Sequence, residues 1–204
     1  MKKCQITLIS ILSLAIIVTI CQPVSATTVP FTEDFDISAS AWRNASGTAA
    51  LNHLSSDGPD GGAYASGNFN FVSSSAGGSA ILLRAQDEFG SSGGVFQGNW
   101  IDEQVTNFSA FVRHNAPVDL TFFVRFSSPF NWPGATGVSF VPVASNTWTE
   151  ISIDIASSNL QFVTFEGSNF NTVFSNIGHI QIGVSVPSVL AGSNTDYNFD
   201  VDKV

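Results

Sequence analysis

The stretch VDLTFFVRFS, residues 118–127, sets Leu120, Phe122, Val124 and Phe126 against Thr121, Phe123 and Arg125. A side-chain period of two sends these sets to opposite sides of an extended strand. The same alternation returns in NFSAFVRH (107–114), WTEISIDI (148–155), HIQIGVSV (179–186) and YNFDVDKV (197–204). Their inward sets are Phe108, Ala110 and Val112; Ile151, Ile153 and Ile155; Ile180, Ile182, Val184 and Val186; and Tyr197, Phe199 and Val201. Shorter strand candidates lie at 31–35, 48–54, 62–66, 69–73, 79–85, 95–97, 138–143 and 161–165, separated by Gly, Ser, Asn and Pro clusters. Only SNFNTVFSNIG (168–178) suits a helical turn, with Gly178 to end it. A chain of short, half-polar strands predicts an all-β fold, an antiparallel β-sandwich. The short link HNAPV, with Pro117, predicts a hairpin of 107–114 with 118–127.

The first residues follow another pattern. Lys2 and Lys3 precede an apolar run over 4–21, and Val24-Ser25-Ala26 supplies the small residues that a signal peptidase needs. Residues 1–26 therefore read as a secretory signal peptide and 27–204 as a single extracellular domain, with no further run long enough to span a membrane. Cys4 and Cys21 leave with the leader, so the mature domain has neither disulfide nor thiol chemistry. Of the seven Lys and Arg, only Arg43, Arg84, Arg113, Arg125 and Lys203 remain to face sixteen Asp and Glu. That balance argues against a nucleic-acid partner, because nothing offsets phosphate repulsion. The surface is rich in neutral polar groups, which suits neutral partners, glycans among them.

One loop, SSDGPDGGAYAS (55–66), invites a chemical reading. It lacks the Gly-Lys-Ser/Thr of a phosphate-binding loop and the alternating acids of an EF-hand. Pro59 and Gly61 suit a plain turn. FTEDFD (31–36) and NFDVDKV (198–204) stand at the two ends of the domain, and first and last strands of a sandwich often neighbour each other. Three oxygen-rich segments would then meet, and calcium takes six to eight oxygens from carboxylates and carbonyls.

Taken in order, EDFD…AW, DGPDGGAYAS, NTWTEISIDI and YNFDVDKV resemble secreted jelly-roll modules of the galactose-binding-like type. These include bacterial carbohydrate-binding modules and laminin-B-like extracellular domains. The resemblance implies a jelly roll of two packed antiparallel sheets and one structural calcium ion. Carried onto this chain, the ion would take Asp36 from the N-terminal segment, Asp57 or Asp60 with carbonyls near Gly61 and Gly62, and Asp202 from the last strand. Asp36 stands where a Glu is more usual.

The expected ligand surface rests on the predicted hairpin, in which Phe111, Arg113, Phe123 and Arg125 share one side. Strand 179–186 would add His179, Gln181 and Ser185. Rings stack on sugar C–H faces, and planar polar groups bond hydroxyls. Phe111 and Phe123 could equally pack beneath a loop. The loop SSPFNWPGATG (127–137) places Phe130 and Trp132 outside any core period, as contacts or as a plug over the sandwich edge. Trp148 is read as a core residue.

Catalytic signals are weaker. GSSGG (90–94) matches G-x-S-x-G at Ser92, but in an all-β setting where the strand-to-helix elbow has no place. Asp87-Glu88 and Asp102-Glu103 are adjacent pairs, which a strand would split between its two faces. The sequence thus predicts a non-catalytic module binding a polysaccharide or other extracellular component. Its alternatives are an adhesive exoprotein with protein partners and a polysaccharide lyase or hydrolase on a jelly roll.

Overall fold

Alternation becomes burial as soon as the strands pair. In the computed structural model of this protein the described residues are 3–11, 14–22 and 29–204, with side chains described from residue 29 onward. Among the described residues, β1 (Lys3–Ile11) and β2 (Leu14–Gln22) pair only with each other. The expected cleavage point at Val24-Ser25-Ala26 lies outside the described residues. No helix among the described residues is long and apolar enough to cross a membrane.

The remaining strands form the expected antiparallel jelly-roll β-sandwich. They are β3 (Arg43–Asn44), β4 (Asn52–Leu54), β5 (Tyr64–Phe69), β6 (Ser79–Gln86), β7 (Asn107–His114), β8 (Phe122–Ser127), β9 (Gly134–Val138), β10 (Thr149–Asp154), β11 (Phe162–Thr164), β12 (His179–Ser185) and β13 (Tyr197–Asp202). A five-stranded sheet runs β10-β7-β13-β5-β4, and a six-stranded sheet runs β11-β9-β8-β12-β6-β3. The inward sets of the long strands are buried, among them Phe108, Ala110, Val112, Phe122, Val124, Phe126, Ile151, Ile153, Ile180, Ile182, Val184, Phe199 and Val201. The predicted helical turn is α1 (Phe170–Phe174), capped by the Asn169 side chain accepting from Thr172 N–H. It ends at Ser175, earlier than Gly178. α1 supplies Phe174 to an aromatic cluster in which Phe126 lies 5.4 Å from Trp100, 5.3 Å from Phe108 and 5.4 Å from Phe174, centroid to centroid.

The predicted hairpin does not form. β7 pairs with β10 and β13, whereas β8 pairs with β12 and β9, in the other sheet. The segment between them crosses from one sheet to the other, because Ala116 and Leu120 turn into the core and Leu120 bonds Val143 in both directions instead of continuing a hairpin ladder. Phe111 and Arg113 therefore lie on the outer side of the five-stranded sheet, and Phe123 and Arg125 on the outer side of the six-stranded sheet.

Candidate functional site

Across the outer face of the six-stranded sheet one register line joins Arg125 (β8), Gln181 (β12), Arg84 (β6) and Arg43 (β3). Arg125 is the hub. Its Nε and Nη2 hold the two oxygens of Glu166 (2.5 and 2.7 Å). Nη1 donates to Gln181 Oε1 (3.0 Å) and Asn131 Oδ1 (2.9 Å), and Nη2 also donates to the Asn131 carbonyl (2.8 Å). A guanidinium has five N–H donors, and all five are taken. Gln181, 2 % exposed, donates in turn to Asn131 Oδ1 (2.9 Å).

These bonds pin the loop between β8 and β9. Asn131 sits at φ 59°, a left-handed conformation that Asn tolerates well. Ser128 Oγ donates to the Trp132 carbonyl, closing the loop on itself. The loop thus projects two rings into solvent: Phe130 is 90 % exposed and Trp132 61 %. Phe123 contributes nothing outward. It is buried, its ring lying over Gly183, where any Cβ would strike that ring and the Ala80 carbonyl.

Of the seven expected ligand residues, four thus meet at one place. Phe130 and Trp132 are displayed, and Arg125 and Gln181 hold them there. Phe111 is half-buried on the opposite sheet. Arg113 is there too, bonded to Asp57 Oδ2 (2.7 Å) and Asp200 Oδ2 (2.8 Å) and lying over the rings of Trp148 (4.6 Å) and Tyr64 (5.0 Å). Burial acts to lower the Arg113 guanidinium, but its bonds to Asp200 and Asp57 outweigh this and raise it. Trp148, expected in the core, instead meets Tyr64 edge-on at 5.4 Å on this outer face and donates to the Asp57 carbonyl (2.9 Å). Asn131, the junction of the pinned loop, was not anticipated. Its place in FNWPG, just before the Trp-Pro step, was the available signal.

The expected metal ligands separate in part: Asp60 and Asp202 stay at one corner, while Asp57 and Asp36 leave it. Asp57 faces Arg113, and Asp36 is exposed, because the chain turns at Phe35 (φ 50°) and directs Asp34 rather than Asp36 toward the C-terminal strand. Lys203 Nζ bridges Asp34 Oδ1 (3.3 Å) and Asp60 Oδ2 (2.8 Å), and this hydrogen bond from Lys203 holds the Asp60 carboxyl below its usual value. Asp202 is buried at 1 % exposure. Its Oδ1 accepts from Lys203 N–H (2.8 Å). Its Oδ2 lies with the carbonyl oxygens of Gly62 and Ala63 around one point beside Gly58, each 2.9–3.0 Å from where a Cβ would stand. Burial pushes the Asp202 carboxyl up to about 6, aided by the charges of Asp34 and Asp60.

Ser92 of the G-x-S-x-G match is buried and accepts from Trp42 Nε1 (2.9 Å), so it serves the core.

No protein-family model and no curated protein matches the sequence. Solved structures resemble this chain. An exo-β-agarase superposes with a TM-score of 0.54 at 12 % identity over 83 % of this chain and 23 % of its own. The CBM22-1–GH10 modules of xylanase 10B from Clostridium thermocellum, complexed with xylohexaose, give 0.47 at 18 % identity over 85 % and 28 %. A structure from work on carbohydrate-binding modules of the β-sandwich superfamily gives 0.46 at 13 % identity over 93 % and 66 %. This chain thus spans about a quarter of the length of the two enzymes it resembles.

Proposed function

We propose that the chain is a secreted carbohydrate-binding module whose sugar contact is the Trp132/Phe130 loop on the six-stranded face. The observation that carries this is the investment in that loop. A fully engaged arginine, a buried glutamine and a left-handed asparagine hold two aromatic rings in water, where hydrophobic burial alone would not keep them. Rigid rings of this kind stack on the C–H faces of a pyranose with little loss of entropy on binding. An overall excess of acid favours neutral over acidic polysaccharides. The test is affinity electrophoresis in gels of neutral polysaccharides. Retardation that disappears in Trp132→Ala is the expected result; no retardation by any of them would refute it. Reducing-sugar release by the purified chain would replace a binding module by an enzyme.

The same reading includes a structural calcium ion at the Asp202 corner. The residues present suit it: a buried carboxylate with raised affinity for protons, two converging carbonyls, and Asp34 and Asp60 nearby. An ion there would supply positive charge beside the Asp202 carboxylate and the two carbonyls. The chain's own part is to bring its first and last segments and the 58–63 loop to one point.

A second reading, adhesion to protein, is favoured by Phe140, Val141, Leu160 and Val163, exposed on and around the edge strand β11 and the end of β9. Concentration-dependent light scattering that persists in Trp132→Ala would support it.

A further inference from the structure

We propose that Asp87, Glu88 and His179 form a binding site for a zinc-class divalent cation at the end of β6 and β12. The inference is independent of the sugar and of the Asp202 corner.

The two carboxylates follow β6 directly, in a 3₁₀ turn over Asp87–Phe89. On a strand they would diverge; the tighter turn brings both to one side. There they meet His179, which lies in the register line Ser127–His179–Gln86. His179 Nε2 is 3.0 Å from Asp87 Oδ1 and 2.9 Å from Glu88 Oε2, and the three ligand atoms all lie within 4.8 Å of one another.

The other ring nitrogen decides what Nε2 carries. Nδ1 faces Asn131 Oδ1 at 3.5 Å, and that oxygen also accepts from Arg125 and Gln181. That oxygen can only accept, so the tautomer with its hydrogen on Nδ1 suits it and leaves Nε2 as the nitrogen that can take a metal. Nε2 then faces two carboxylate oxygens, an arrangement that requires a proton or a cation between them. A single proton placed there cannot serve both oxygens fully; a cation can. An Nδ1–H held by a side-chain acceptor is also how metal-bound imidazoles are oriented.

The surroundings fit a prepared site. His179 is 4 % exposed and has little freedom. Gln86, 8 % exposed, donates through Nε2 to the outer oxygen of Glu88 (2.7 Å), while its own Oε1 is buried without any donor. Arg84, a cation in the adjacent register line, directs its Nε to the Ala45 carbonyl (2.7 Å). The side chains of Asp87 and Glu88 are 25 % and 48 % exposed, leaving a way in from solvent and room for an exogenous ligand.

Zinc–nitrogen and zinc–oxygen bonds of about 2.0–2.2 Å place tetrahedral ligands about 3.4 Å apart, so each carboxylate oxygen needs to withdraw from Nε2 by only about 0.4–0.5 Å. One imidazole with two carboxylates suits zinc, copper or nickel better than calcium, which needs more oxygens than converge here.

The test is isothermal titration of the chelator-stripped chain with zinc chloride, with calcium in excess so that oxygen-only sites are filled. One equivalent is expected, with an increase in Tm. Glu88→Gln, a half-exposed change that the fold tolerates, should weaken zinc by at least about tenfold, and His179→Ala should abolish it. Asp202→Asn should bind zinc as the parent does. No heat and no Tm shift with zinc in excess would overturn the site, leaving an ion-paired histidine. So would zinc binding that Glu88→Gln leaves unchanged.

Discussion

The carboxyl of Asp202 is held near 6 by burial and by its acidic neighbours, against 3.8 for an ordinary aspartate. A raised acid binds an extra proton in the folded state, so the stability it contributes is fully present below about pH 4 and lost as pH rises through 6. In chelator, thermal melts should therefore show Tm falling over that window. Asp202→Asn should flatten this slope and raise Tm at neutral pH. With calcium the ionised form becomes the ligand, so the parent should gain Tm above pH 6 and Asp202→Asn should gain none. Arg125 makes a different case. It has no donor to spare for a sugar, so Arg125→Ala should reduce polysaccharide affinity only by freeing the loop. Trp132→Ala should remove about 1–3 kcal/mol by calorimetric titration, the ring contact itself. Which acid turned inward could not be read from EDFD, because one left-handed residue, Phe35, chooses between Asp34 and Asp36.

Elements were more legible than their partners. The period of two identified β7, β8, β10, β12 and β13 and nearly every inward side chain, because burial of one face is a local property of a strand. Pairing is not local. A short, proline-containing link looked like a hairpin turn, and only the packing of Ala116 and Leu120 shows it to be a crossover between sheets. The same error mixed Phe111 and Arg113 with Phe123 and Arg125. The core of these elements centres on Phe126, whose ring touches those of Trp100, Phe108 and Phe174. Phe126→Ala should cost about 3–5 kcal/mol in urea unfolding. Gly183→Ala should also destabilise, despite adding only a methyl group, because the Phe123 ring and the Ala80 carbonyl occupy its space.

At the scale of the molecule the two outer faces carry different work. The five-stranded face uses Arg113, Asp57, Asp200, Tyr64 and Trp148 to clasp the 57–62 loop. The six-stranded face displays Phe130 and Trp132. Arg113→Ala should strand Asp200, whose side chain is only 8 % exposed, at a cost of about 3 kcal/mol, while polysaccharide affinity at a temperature where the variant stays folded is unchanged. Because the sites share no side chain, the Tm changes of Asp202→Asn and Trp132→Ala should add, to within about 0.5 kcal/mol of stability.

One further property follows from how the two ends of the sandwich meet. Glu33 N–H donates to the Val204 carbonyl (2.8 Å) and Val204 N–H to the Glu33 carbonyl (3.1 Å), an antiparallel couple with Lys203 reaching across to Asp34. Tension drawn through these ends acts on that couple perpendicular to the strands. It opens the bonds in succession, as a zipper opens, instead of shearing many at once. A handle pulled from residues 33 and 204 would peel β13 from β5 and β7 at modest force. Filling the Asp202 corner with an ion would place the strongest link of that seam just behind its first tooth.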